Sequence, residues 1–257
     1  MTAVREVPGL GLEGSQIQTP ARPKALTILT VVTVIGILFG LYMALGYAGT
    51  DVDQGDVQRV FYIHMPAFLG AFTALLGTVI GGVQYLRTRQ VKWDNLALAG
   101  VEVGVALALI NLITGMIWAR PIWNTWWTWD PRLTSEAIMV LTYAAYLMLR
   151  QSIENPEQRR RFAAVYGILA FVTVLIVLLI TRIRPDTIHP VVIGPSVQND
   201  VAEGAFEVAA TSGVTAALMS NMPVWALLVP ITLMWYRIRQ ENFAEHIQAL
   251  KTKVMNQ

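Results

Sequence analysis

Six long apolar runs alternate with polar connections along the chain. They lie at about Ala25–Gly46, Pro66–Leu86, Leu96–Ile117, Ser135–Leu149, Phe162–Thr181 and Met222–Tyr236. Several exceed ~18 residues with almost no charge, the length and composition a helix needs to cross a bilayer. No internal repeat, no low-complexity segment and no polar stretch large enough to fold alone interrupts them. The pattern predicts an all-α integral membrane bundle of six transmembrane helices, one domain over residues 1–257. Residues 1–24 and 240–257 form its polar ends. Residues 1–24 have no apolar centre, so no cleavable signal peptide is expected. The stretch "DVAEGAFEVAATSGVTAALMS" (200–220) has two readings. It forms a helix lying on the outer surface, or the sixth span starts early and is broken at Asn221–Pro223.

Composition agrees with the pattern. Hydrophobic residues make up 54% of the chain and charged residues 14%, against about 25% charged in soluble domains. A net charge of +2 is too small to suggest a nucleic-acid partner. The placement of the basic residues is more informative. Fourteen of the nineteen Lys and Arg lie in the N-terminus, the "RTRQVK" and "RQSIENPEQRRR" turns and the C-terminus. The other five are Arg59, Arg120, Arg132, Arg182 and Arg184. The positive-inside rule therefore puts both termini in the cytoplasm. The connections at 47–65, 118–134 and 182–221 then face outward. There is no cysteine, hence no disulfide, thiolate ligand or thioether from this chain.

The outer connections carry the unusual residues. "WARPIWNTWWTWDPRLTSE" (118–136) holds five of the eight tryptophans. Trp123, Trp126 and Trp127 fall at i, i+3 and i+4, so a helical turn would set them on one face. Pro121 and Pro131 bracket the segment. Tryptophan favours the membrane interface, but anchoring needs one or two rings per helix end. The crowding suggests instead a flat platform for a large planar apolar ligand. Asp130 and Arg132 would tie the segment to its neighbours or meet the ligand's polar edge.

Of three histidines, His246 lies in the charged C-terminal tail. His64 lies in "DVDQGDVQRVFYIHMPAF", where Val57, Val60, Phe61, His64 and Phe68 follow helical spacing. His189 lies in the Pro- and Gly-rich "IRPDTIHPVVIGP". A lone histidine of this kind is usually structural. Two on one membrane face, beside a tryptophan platform, fit the axial ligands of a haem iron, and outer arginines suit its propionates.

The stretch 118–136 resembles the tryptophan-rich WWD signature of the haem-handling proteins of cytochrome c maturation. "DVDQGDVQRVFYIHMPA" resembles the first outer loop of the haem exporter protein C (CcmC) family, which carries one axial histidine. The resemblance implies a protein of the bacterial inner membrane that is not an enzyme. It would hold haem b transiently and non-covalently at the periplasmic face and present it to a periplasmic haem chaperone (CcmE). Its implied partners are an ABC-transporter pair (CcmA, CcmB), a small single-span protein (CcmD) and the lipid bilayer. His64 and His189 would be the iron ligands. Trp123, Trp126, Trp127, Trp129 and Asp130 would form the platform, with Arg132 beside it. The chain departs from the familiar motif at Asn124, where glycine is usual, at Pro131, and in the third outer loop, "RIRPDTIHP".

Two other classes stay open. A b-type cytochrome usually buries its histidines within spans, whereas these lie at one face. A transporter would use Glu102, the single carboxylate of the third run, since intramembrane acids are functional candidates. A haem lyase of the same superfamily would need more spans.

Overall fold

The structure is a computed structural model and describes residues 21–51, 54–189 and 212–255. It is helical, with no strand among the described residues. Helix α1 (Lys24–Tyr42) runs on through a π turn, Met43–Tyr47. A 3-10 turn (Asp56–Val60) leads into α2 (Phe61–Thr88), followed by α3 (Val91–Trp123), α4 (Pro131–Ser152) and α5 (Pro156–Ile183). Helix α6 (Ser212–Pro223), a π turn (Val224–Leu228) and α7 (Val229–Met255) complete the chain.

The helix ends follow from local chemistry. Asp130 and Asn155 cap α4 and α5 with their side-chain oxygens, and a proline occupies the first turn of each. Both devices favour helix starts, because the cap satisfies an orphan N–H and proline lacks one. Helices α2 and α3 end at Arg89 and Asn124, which adopt left-handed backbone, φ 58° and 55°.

Among the described residues, five helical stretches are long and apolar enough to cross a membrane: Lys24–Tyr47, Asp56–Thr88, Val91–Trp123, Pro156–Ile183 and Gly213–Thr252. The expected fourth run, Ser135–Leu149, lies in α4, which is not among these five. Its 22 residues reach about 33 Å, so length is not lacking. Its apolarity is. Arg132, Ser135, Glu136, Tyr143 and Tyr146 are buried along its inner face, while Ile138, Leu141 and Met148 are exposed on the other. The last span also differs from the expected Met222–Tyr236, because helix is continuous from Gly213 to Thr252. Pro223 does not break it. A wider π turn, Val224–Leu228, follows it directly and carries the helix past the proline. Residues 212–220 thus belong to the last span rather than to a surface helix, and 200–211 lie outside the described residues.

Helices α2 and α3 form the central hairpin. A Cβ added at Gly100 of α3 would sit 2.5 Å from the Ala74 carbonyl oxygen of α2, so only glycine allows this approach. Phe68, Leu75, Leu107, Met139, Tyr143 and Val174 fill the core among α2 to α5. Helix α1 lies at the rim, with Val31, Ile35, Leu38 and Phe39 all exposed. Polar contacts hold it to the last span: Thr33 to Thr232 at 2.8 Å, Thr30 to Tyr236 at 2.9 Å, and Asn221 Nδ2 donating to the Gly40 carbonyl at 3.0 Å. Such interhelical bonds contribute about 0.6 kcal/mol each on average within membranes.

The end of the bundle remote from the tryptophans is ionic. Arg150 donates two bonds to the buried Asp94, at 2.6 and 2.9 Å. Arg160 pairs with Glu245 at 3.0 Å. Arg237 of α7 bridges Glu102 of α3 and Glu241, the latter at 2.6 Å.

Candidate functional site

At the opposite end, the start of α2, the last turns of α3, the start of α4 and the loop after α5 surround one open cavity. It encloses about 840 Å³, open solvent at its mouth included. Phe61, Met65, Phe68, Leu112, Met116 and Leu133 make its apolar wall. His64, His189, Arg132, Glu136 and three tryptophans, Trp118, Trp123 and Trp127, complete it.

His64 and His189 come from separate connections, yet their ring centres are 6.4 Å apart and their planes differ by 31°. Two imidazoles that bind one metal ion from opposite sides, each at about 2 Å, place their ring centres roughly 6 Å apart. The spacing therefore fits one ion between them. Among the described residues no group of three or more His, Cys, Asp or Glu side chains could hold a bare ion. A pair of axial donors suits an iron whose other positions are filled by a macrocycle.

His64 is on α2. Its Nδ1 lies 2.9 Å from the Asn111 carbonyl oxygen and 3.2 Å from Thr114 Oγ1, both on α3. His189 is reached differently. Asp130 Oδ1 accepts the Thr187 hydroxyl at 3.0 Å, and Oδ2 accepts the Ile188 backbone N–H at 2.7 Å. The same carboxylate caps α4 through the Arg132 N–H at 2.8 Å. Of the two roles open to Asp130, tying the segment to its neighbours is the one seen. The loop's first turn is braced by Arg184, whose Nε donates to Asp186 at 2.7 Å. That hydrogen bond holds the Asp186 carboxyl below its ordinary value.

Arg132 is buried, forms an ion pair with Glu136 one turn later, and lies 4.6 Å from the Phe68 ring centre. The Glu136 Oε1 atom has no hydrogen-bond partner among the described residues. The Arg132 guanidinium thus lies against an aromatic ring and beside a carboxylate in the cavity wall.

The tryptophans divide into two groups. Trp123 and Trp127 line the cavity, whereas Trp126 and Trp129 are 54% and 82% exposed. The single helical turn expected over 123–127 does not form, because α3 stops at Trp123 and Asn124 turns left-handed. Asparagine and glycine both tolerate that backbone, which explains asparagine at a position where glycine is usual. Trp118 packs edge-on against Trp123 at 5.1 Å and donates its Nε1–H to Gln54 Oε1 at 2.8 Å. Trp127 meets Trp129 edge-on at 5.8 Å.

Trp118, Asn111, Thr114 and Glu136 were not singled out from the sequence. Asn111 had a signal, as a lone amide in the apolar "ALALINLITGMI", since polar groups inside spans are costly and usually placed for a purpose. Glu102, by contrast, is at the other end and is paired with Arg237.

Comparison with known sequences bears on this site. The sequence pattern of the family described as Heme exporter protein C (CcmC) matches residues 15–253. The heme exporter protein C of Paracoccus denitrificans is 36% identical over 140 residues, covering 54% of this chain and 55% of its own length. That of Bradyrhizobium diazoefficiens is 33% identical over 173 residues, 63% of each. That of Escherichia coli strain K12 is 29% identical over 153 residues, 58% of this chain and 61% of its own. The aligned stretches thus span between half and two thirds of these relatives. The family pattern nevertheless runs from the segment before α1 to the end of α7, through every element that lines the cavity, and the chain belongs to the Heme exporter protein C family.

Proposed function

We propose that this protein binds haem between His64 and His189 and presents it to a partner for cytochrome c maturation. The observation that carries the reading is the 6.4 Å approach of the two imidazoles across a tryptophan-walled cavity. Haem supplies an iron that takes two axial nitrogens. The chain supplies those nitrogens, aromatic walls for the porphyrin faces, and Arg132 for a propionate. Without cysteine, the chain holds haem b without a covalent bond, as cargo rather than as a resident group.

Placement in the membrane follows from charge. Fourteen of nineteen basic residues lie in the N-terminus, the two turns at 87–92 and 150–161 and the C-terminus, the flanks that the positive-inside rule assigns to the cytoplasm. We take α4 as a sixth span, its polar face turned inward and its apolar face to lipid. Both termini are then cytoplasmic, and the cavity opens at the periplasmic face of the bacterial inner membrane. The exposed Trp126 and Trp129 border the cavity mouth in sequence and suit contact with the periplasmic haem chaperone (CcmE). Family membership supports association with the ABC-transporter pair (CcmA, CcmB) and the small single-span protein (CcmD). The chain's own part is holding and presenting haem, while the covalent bond forms on the partner.

The test is the absorption spectrum of the purified protein supplied with haem, beside His64→Ala and His189→Ala. A low-spin Soret and α/β pattern that each substitution converts to high-spin or abolishes is the expected result. A protein that stays colourless, or variants that keep the parent spectrum, would remove the ligand assignment.

A further inference from the structure

The two histidines are held by different means, and the way His64 is held assigns a role to residues outside the WWD segment. Around Nδ1 lie two oxygens on α3, the Asn111 carbonyl at 2.9 Å and Thr114 Oγ1 at 3.2 Å. The Thr114 hydroxyl proton is directed to helix carbonyls, Ile110 at 2.6 Å and Asn111 at 2.9 Å. Its oxygen therefore has a lone pair to offer. One N–H of the Asn111 amide donates to the His64 backbone carbonyl at 2.7 Å, and the amide nitrogen lies 3.3 Å from Nδ1. The two oxygens are both nearer to Nδ1 than this amide, so the proton resides on Nδ1 and Nε2 is left bare. That is the tautomer a metal ligand needs, with its second N–H given to a carbonyl. Gly115 completes the seat, since a Cβ there would come within 2.9 Å of His64 Cε1.

We infer that Asn111, Thr114 and Gly115 are positioning residues that fix the ring orientation and tautomer of His64. Asn111 is fully buried, and its amide ties α3 to the backbone of the ligand residue itself. Thr114 strengthens the Nδ1–H bond and so raises the donor power of Nε2. The inference rests on the haem-binding reading of the same site. It goes beyond that reading by naming what sets the strength of one ligand.

The experiment uses the full-length protein in detergent, titrated with ferric haem b, as wild type, Asn111→Leu, Thr114→Val and Gly115→Ala. Affinity falls about ten- to hundredfold for Asn111→Leu and Gly115→Ala, the usual range for loss of outer-shell support. Thr114→Val keeps the volume and the low-spin spectrum, but the midpoint potential rises because Nε2 donates less. Nitrogen-15 spectra of histidine-labelled protein without haem, with His64 assigned through His64→Gln, show the Nδ1–H tautomer. This last readout does not depend on haem and does not need the Leu variant to fold. An Nε2–H tautomer in the wild type, or haem affinity and potential unchanged in Thr114→Val and Asn111→Leu, overturns the inference. A wild type that shows Nδ1–H but takes up no haem leaves the tautomer in place and removes the haem reading, and with it the role of these residues in ligation.

Discussion

Asp130 and Thr187 are joined by a hydrogen bond of 3.0 Å, and the adjoining Ile188 N–H reaches the same carboxylate at 2.7 Å. Through that carboxylate the tryptophan-rich connection holds the two residues that lead into His189. Asp130→Ala removes both bonds and the cap of α4. Loss of the cap alone costs about 1 kcal/mol. The expected outcome is a haem complex that keeps one histidine ligand and turns high-spin, with Asp130→Asn milder, because an amide oxygen still accepts one bond. Spectra of the two variants beside His189→Ala check this. An Asp130→Ala spectrum identical to the wild type would refute the tie.

Trp127 and Trp126 are neighbours with different tasks. Trp127→Ala opens the cavity wall and weakens haem retention, measured as faster loss of haem to apomyoglobin. Trp126→Ala and Trp129→Ala leave retention within about twofold, in keeping with the small effects of surface changes, and slow transfer to the haem chaperone. Equal effects of all three on retention would contradict this division.

Arg132 and Glu136 form a buried pair, so removing one partner strands the other. Arg132→Ala should cost about 3–5 kcal/mol, whereas replacing both with apolar residues of similar volume is often neutral. The expected outcome is a large drop in melting temperature for Arg132→Ala and recovery in Arg132→Met/Glu136→Leu, without recovery of haem affinity. Recovery of both would show that Arg132 serves packing alone.

Glu102 and Arg237 lie at the far end, each about a quarter to a third exposed. Glu102→Gln should change stability by about 1 kcal/mol or less and leave the haem spectrum unaltered, because Arg237 keeps Glu241. Abolished haem transfer in this variant, with the spectrum intact, would revive a path through the bundle.

The helical class was legible in the runs of apolar residues, because composition and length decide it. The limits of α4 and of the last span were not. In α4 the polar residues face inward, so mean apolarity hides a helix whose outer side suits lipid. At Pro223 the local rule for proline predicts a break, and the π turn at 224–228 avoids it. His64 and His189 were visible as rare residues in unusual settings, but their approach depends on Asp130 holding a remote loop. Trp126 could not be told from Trp127 by spacing, since the left-handed Asn124 cancels the helical register on which spacing relies. Asn111 went unread because a buried amide reveals its purpose only once its partner is known.

The two histidines differ in what must move for each to withdraw. His64 stands on α2 against Asn111 and Thr114 of α3, inside the central hairpin. His189 lies beyond the end of α5, next to residues that Asp130 holds by two hydrogen bonds. On the proposed haem-binding reading, a competitor for the iron would meet one jaw set on a packed helix and one set on a loop. It would be expected to displace His189 first, with His64 retaining the haem until the new bond is made.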